Sequence, residues 1–493
     1  MSLRNPLKET IAAGGSAGCV WLSLGSPAVA ELMVQGGPDA AVFDLQHGLW
    51  DRSSLEAAIG LVRQRCVPLV RVAENSAHAI STALDAGALG VIVPLVESAE
   101  EAARSVAWSR YPPRGIRSGG GVRPLMDFKG YAGAADEAVL VIPMVETVAG
   151  VANAGAIAAV PGVDMVFIGT GDLALSLGTF PEFGPRHEAA CLEVLAACRA
   201  VGTPCGIFTP SATFAMDRRA QGFRLSVLAC DNEIVQAVAT GHVRRFRTRP
   251  DPARVAGAVA FVTGASRGIG AELVRALAEG GARRIYCASR SGAVPEAPAE
   301  LVPVTLDIAD PAQVERAAAA APDVTLLVNN AGINANAGLI GWKDPGDAQR
   351  EVATNYLGTL AMCRAFAPVL ARNGGGAIVN MLSILAHMNL PQMASLCASK
   401  AAALSMTQAL RAELSAQGTF VMGVLPGAVD TAMTRDFTGP KIAPRRVADA
   451  VVQGLILGQD EVYPGGMAAG VLHGLSLDAK AVEAEFATYL PKR

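Results

Sequence analysis

Asp44, Gln46, His47, Arg71, Glu146 and Asp172 are polar residues that sit in, end or closely follow apolar runs in the first half of the chain. Glu146 and Asp172 would offer two oxygen ligands, a minimal protein set for a hard divalent ion that keeps water and room for a substrate. Mg²⁺ or Mn²⁺ suits such a pair, and thiolate-loving metals do not. His47 has the type of a general base near neutral pH, with Asp44 to orient it, and Arg71 would face negative charge developing on an oxygen. In the second half, Gly264-Ala-Ser266-Arg267-Gly268-Ile269-Gly270 follows an apolar run and opens a helical pattern, the context that a pyrophosphate-binding turn requires.

These residues need a scaffold that brings distant segments together. Eight β-branched runs, 20–25, 41–46, 67–73, 90–97, 139–146, 164–170, 204–209 and 225–231, alternate with helical stretches. That count and order predict a (β/α)8 TIM barrel, whose strand ends meet at one face where polar residues converge. The barrel half has only Lys8 and Lys129, neither in a predicted strand, which argues against chemistry through a lysine imine. The Pro- and Arg-rich stretch around 244–254 breaks the periodicity and reads as a linker, placed at 246–255. Beyond it, runs at 258–264, 284–290, 301–307, 324–330, 377–383, 420–427 and 461–464 predict a Rossmann-type doubly wound parallel sheet. The expected organisation is thus a barrel over 1–245 and a dinucleotide-binding domain over 256–493, an α/β chain throughout.

The first half resembles the HpcH/HpaI family of metal-dependent pyruvate aldolases over about residues 5–245. The resemblance rests on Asn5-Pro-Leu-Lys8, Phe43-Asp44-Leu-Gln-His47-Gly48, Pro68-Leu-Val-Arg71, Gly87-Ala-Leu-Gly90 through Pro94, Tyr111-Pro-Pro-Arg-Gly115, Glu146-Thr147 and Pro161 through Asp172. It implies reversible aldol cleavage of a 2-oxo-4-hydroxy acid into pyruvate, or a close 2-oxo acid, and an aldehyde. By the same carry-over Glu146 and Asp172 hold the metal, Gly171 and Asp172 cradle the pyruvate carboxylate, His47 with Asp44 moves the proton, and Arg71 stabilises the enolate and orients the carbonyl. Gln46 stands where many members carry Glu, and Met144 where many carry Gln; both departures are expected to alter substrate choice more than reaction type.

The second half resembles the short-chain dehydrogenase/reductase family over about residues 256–470. Besides the glycine-rich turn, it shows Leu306-Asp307-Ile308, Asn329-Asn330-Ala331-Gly332, Asn355, Ser383, Lys400 and Pro426 through Thr431 in family order. The resemblance implies dinucleotide contacts from Gly264, Ser266, Arg267, Gly268, Ile269, Gly270, Arg290, Asp307, Ile308, Asn330, Lys400, Val429 and Thr431, and catalytic roles for Asn355, Ser383 and Lys400. Arg267 and Arg290 place positive charge where a 2′-phosphate would lie, so NADP(H) is favoured over NAD(H). In this family a tyrosine four residues before the lysine moves the proton; here that position is Leu396. Slow or atypical oxidoreduction is therefore expected, with Ser383, water or Cys397 as substitute proton sources. Two alternatives stand beside this reading: a chain whose reductase half is the principal enzyme, and an aldolase fused to an NADP-binding sensor or scaffold.

A formal net charge of -3, with 51% hydrophobic and 17% charged residues, suits a globular enzyme acting on small molecules and excludes the basic surface that nucleic acid needs. The nine cysteines form no C-x-x-C pair and sit mostly in apolar runs, which suits a reducing compartment. With no apolar leader or membrane-length run, a cytoplasmic protein is expected, without membrane contact. A homo-oligomer is expected as its state.

Overall fold

The computed structural model describes residues 3–126, 128–246, 250–336, 338–340, 344 and 346–490. It divides into two compact units, 1–242 and 243–493. Residues 247–249 of the expected linker lie outside the described residues; the helix Asp231–Phe246 runs across the division between the units, and a short turn at Pro252–Arg254 precedes the next strand.

In the first unit β1 (Ala17–Leu22), β2 (Ala40–Asp44), β3 (Val67–Arg71), β4 (Gly90–Val93), β5 (Leu140–Val145), β6 (Val166–Ile168), β7 (Cys205–Ile207) and β8 (Leu225–Cys230) form a closed barrel. All eight pairings are parallel, including β8 back to β1. Successive side chains point to opposite faces of a strand. Along β2, Ala40 and Val42 join a central cluster with Trp21, Leu69, Ile142 and Phe167, whereas Ala41 and Phe43 pack outward with Leu55, Ile59 and Ile80. The same alternation puts Asp44 in phase with Val42, Arg71 with Leu69, and Glu146 with Met144. The three polar residues therefore crown the barrel's interior at the C-terminal ends of the strands.

The second unit holds β9 (Val259–Thr263), β10 (Arg284–Ser289), β11 (Glu300–Thr305), β12 (Leu326–Asn329), β13 (Ala377–Met381), β14 (Phe420–Val424) and β15 (Glu461–Val462). They form one sheet in the order β11-β10-β9-β12-β13-β14-β15, with every pairing parallel. Alternate residues of β9 again separate: Ala260 and Val262 pack on one face, Val259 and Phe261 on the other. Strand order reverses at β9, between β10 and β12, and ligands of such sheets bind beyond the strand ends at that switch point.

Most expected strands run past the observed ends. Side chains that turn the backbone out of the ladder account for two of these cases: Asp44 Oδ1 accepts the N–H groups of Gln46 and His47, and Asp307 Oδ1 accepts that of Ala309. Among the described residues, no helix is long and apolar enough to cross a membrane.

Candidate functional sites

Register explains the first polar pair at the barrel mouth. Asp44 and Arg71 are direct partners at the ends of β2 and β3, both inward and both buried. Arg71 Nε donates to Asp44 Oδ1 at 2.8 Å, and an Nη donates to Oδ2. Trp21 Nε1 donates to the same carboxylate at 3.3 Å, and the guanidinium lies 5.1 Å from the centre of the indole ring. Burial alone would raise the Asp44 carboxyl, but the Arg71 hydrogen bonds and charge, with the His47 N–H, hold it below the usual carboxylate range.

This geometry corrects one expected contact. Asp44 reaches His47 only through the backbone N–H, at 3.2 Å, while its side-chain oxygens serve Arg71 and Trp21. His47 is exposed, and no hydrogen bond to its ring is found among the described residues. Asp44 therefore shapes the turn that carries His47 and orients Arg71, and it leaves the imidazole to rotate.

Glu146, 1% exposed, lies just past β5. Its Oε1 accepts the Leu95 N–H at 2.7 Å, from a backbone turn at which Leu95 adopts a φ of 53°. Among the described residues its buried Oε2 accepts no hydrogen bond from an N–H or O–H donor, and the Asp172 carboxyl lies beside Glu146. Burial, opposed by the Leu95 hydrogen bond and aided by the nearby Asp172 charge, pushes the Glu146 carboxyl up to about 7. Asp172 stands half-buried in the first turn of the helix Thr170–Ser176, with Gly171 exposed beside it. Gly169 opens that turn; a Cβ there would lie 2.3 Å from Glu146 Oε2, so only glycine leaves the carboxylate its space. An orphaned, buried carboxylate oxygen facing a second carboxylate fits a divalent cation, which would satisfy both and reverse the upward pull on Glu146. Among the described residues no cluster of three or more His, Cys, Asp or Glu donors is found, so the protein offers two ligands.

Sequence reasoning did not single out Trp21, Leu95 or Gly169. Trp21 carried a signal, its inward phase on β1 beside an expected charged mouth. The other two act through backbone geometry set by the fold.

In the second unit one cavity of about 1740 Å³ runs along the strand ends. Gly264, Ser266, Arg267, Gly268, Ile269, Gly270, Arg290, Asp307, Ile308, Asn330, Lys400, Val429 and Thr431 all line it. The helix Gly268–Glu279 starts at the turn, and a Cβ on Gly270 would fall 2.0 Å from the Gly264 carbonyl oxygen, so the close turn requires glycine. Asn330 Nδ2 donates to the Thr263 carbonyl at 2.9 Å and fixes the turn from β12. Arg267 and Arg290 are exposed, and neither forms an ion pair among the described residues.

The catalytic candidates separate in this unit. Ser383, Leu396 and Lys400 line the cavity, whereas the buried Asn355 does not. Asn355 accepts from the Ile333 N–H at 2.9 Å and donates to its carbonyl and to Ser399 Oγ, both at 3.0 Å, so it braces the loop that forms the wall. Ser383 Oγ accepts from Leu385 N at 3.2 Å. Lys400 Nζ donates to the Met381 carbonyl at 2.7 Å, and burial lowers its amine to about 8. Leu396 lies one turn before it on the helix Ala394–Glu413. Cys397, the other expected substitute proton source, is not among the cavity-lining residues; its Sγ accepts from Leu390 N at 3.3 Å, and burial raises its thiol.

A closed barrel crowned by paired carboxylates, followed in the same chain by a doubly wound sheet with a glycine-rich turn, is the architecture of two enzyme classes joined end to end. The HpcH/HpaI aldolase/citrate lyase model matches residues 18–237, and the short chain dehydrogenase model matches residues 258–441. A 4-hydroxy-2-oxovalerate aldolase from Rhodococcus jostii is 37% identical over 49% of this chain and 96% of its own length. A hydroxypyruvate/pyruvate aldolase from Paraburkholderia phytofirmans is 34% identical over 46% and 92%. Among solved structures, a short chain dehydrogenase from Burkholderia cenocepacia in complex with NADP is 50% identical, covering 47% of this chain and 98% of that one, with a TM-score of 0.45. The chain belongs to the HpcH/HpaI aldolase/citrate lyase family through its first half and carries a short-chain dehydrogenase domain in its second.

Proposed function

We propose that the first unit is a divalent-metal-dependent aldolase that joins pyruvate, or a close 2-oxo acid, to an aldehyde and reverses the reaction. The observation that carries this reading is the buried, unpartnered Oε2 of Glu146 facing Asp172. The relatives named above act on substrates of this kind. Mg²⁺ or Mn²⁺ held by Glu146 and Asp172 would supply a Lewis acid to a chelated 2-oxo acid. The chain's own groups do the rest. Gly171 and the Asp172 backbone receive the carboxylate, Arg71, fixed by Asp44 and Trp21, directs its charge at the carbonyl oxygen, and His47 moves the proton.

Full-length protein given pyruvate, Mg²⁺ or Mn²⁺ and a panel of aldehydes is expected to form aldols, and excess EDTA to abolish the turnover. Undiminished turnover in EDTA would overturn the mechanism. His47→Ala is expected to slow turnover by ~10²-fold, the lower end for a general base, because among the described residues no second group orients the imidazole. Calorimetry should show the metal still bound in that variant; an unchanged rate would remove His47 from the chemistry.

The second unit is an NADP(H)-binding domain of weak or atypical oxidoreductase activity, a reading supported by the cavity-lining turn and its two unpaired arginines. NADP(H) would supply a hydride there. The residues that fit it are the turn from Gly264 to Gly270 around the pyrophosphate, with Arg267 and Arg290 toward a 2′-phosphate. NADPH is expected to bind about tenfold or more tighter than NADH, a difference of at least ~1.4 kcal/mol, and Arg267→Ala with Arg290→Ala to erase it. Equal affinities in wild-type protein, read by fluorescence titration, would defeat the assignment. Leu396 specifically favours a second reading, in which the domain binds NADP(H) without turning it over.

A further inference from the structure

We propose that the second unit's cavity admits a neutral, apolar carbonyl compound and rejects carboxylates. If the first unit is the aldolase argued above, the second therefore serves its aldehyde and neither the 2-oxo acid nor the aldol acid. At about 1740 Å³ the cavity exceeds the ~300–1,000 Å³ of a single-ligand pocket, so a second molecule has room beside a dinucleotide.

The reacting end is marked by Ser383 and Lys400, and around it apolar side chains share the lining with the uncharged Asn334 and Gln392. Leu390 and Met393 precede the helix that carries Leu396, and Val471 and Phe486 approach from the helices Gly466–Leu477 and Ala479–Phe486. The first of those two helices packs on the turn Ile384–Ala386, directly after Ser383. Met467 clamps it to the neighbouring loop, with its Sδ 3.4 Å from the Ala428 N–H.

Charge decides the class of ligand. Four described cations line the cavity: Arg267, Arg290, Arg350 and Lys400. The first two flank the glycine-rich turn and the end of β10, the nucleotide half. Arg350 is committed to Asp344, at 2.7 Å, and to Asp347. Lys400 is buried against the Met381 carbonyl. Apart from Lys400, expected among the dinucleotide contacts, no cation among the described residues remains to receive a carboxylate at the apolar end, where Glu485 adds negative charge. A charge brought into such surroundings without a partner is costly, whereas an apolar chain gains by burial.

The test is calorimetric binding of three six-carbon probes, hexan-1-ol, hexanoate and hexylamine, to full-length protein with and without NADPH. Hexanol is expected to bind about tenfold or more tighter than either ion, one 1.4 kcal/mol step on the affinity scale. Equal or tighter binding of hexanoate or hexylamine, or no binding of hexanol, overturns the proposal. Val471→Arg is expected to reverse the order by supplying the missing cation, and Phe486→Arg provides the same test should the first variant not fold. Probe affinities unmoved in a folded variant would put binding outside this cavity and overturn it too. None of these readouts involves aldol chemistry, so they stand or fall separately from the barrel's activity.

Discussion

Glu146→Gln is expected to abolish metal-dependent carbon–carbon turnover while leaving the barrel folded. The amide keeps the shape of the side chain and can still accept the Leu95 N–H, but it removes the ligand charge. Loss should reach or exceed the ~10²–10⁴-fold seen when a positioned catalytic group is removed. Calorimetry should show metal affinity falling in step.

A pH signature accompanies it. In the metal-free protein the Glu146 carboxyl sits at about 7, so below that pH it is largely protonated and an arriving ion must displace the proton. Wild-type affinity should therefore rise with pH up to about 7 and then level, with one proton released per ion at the acid end. The variant should lack that component. Wild-type affinity flat between pH 5 and 7 would show that Glu146 is not the titrating ligand.

Local pattern carries some of this site and not the rest. The count and order of the apolar runs placed Asp44, Arg71 and Glu146 at strand ends that meet at one face, and period-two burial in the fold turns them to its inner side. Partner choice was not local. Asp44 sits three residues from His47 in sequence, yet the parallel register sets Arg71 beside it, and a bidentate ion pair takes the carboxylate that a nearby imidazole might have used. Leu95 could not be found by type, since it acts through a backbone N–H delivered by a turn after β4. In the second unit the glycine-rich turn was legible because each glycine answers a local steric need, as the Gly264–Gly270 contact shows. Asn355 was given a catalytic role by its order in the chain; the fold buries it beside the cavity wall, with both of its polar ends on the Ile333 backbone.

Leu396→Tyr is expected to raise carbonyl reduction by the second unit by ~10²–10⁴-fold, the usual contribution of a positioned acid. Position 396 already lines the cavity, and its place one turn before Lys400 puts both side chains on one helix face. Among the described residues Lys400 makes a single hydrogen bond, to Met381, and as an expected dinucleotide contact one turn from position 396 it would stabilise a phenolate there. Ser383 lines the same end and can position the carbonyl oxygen. The measurement is NADPH consumption with neutral aldehydes, with NADPH affinity determined in parallel so that a change in cofactor binding is not mistaken for a change in chemistry. A wild-type rate already near an ordinary ~10 s⁻¹ would mean that another group supplies the proton, and Ser383→Ala and Cys397→Ala are then the first variants to make. No gain from the tyrosine while NADPH still binds would assign the domain to a scaffold or sensor, because the acid, the lysine and the hydride source would all be present without a reaction to serve.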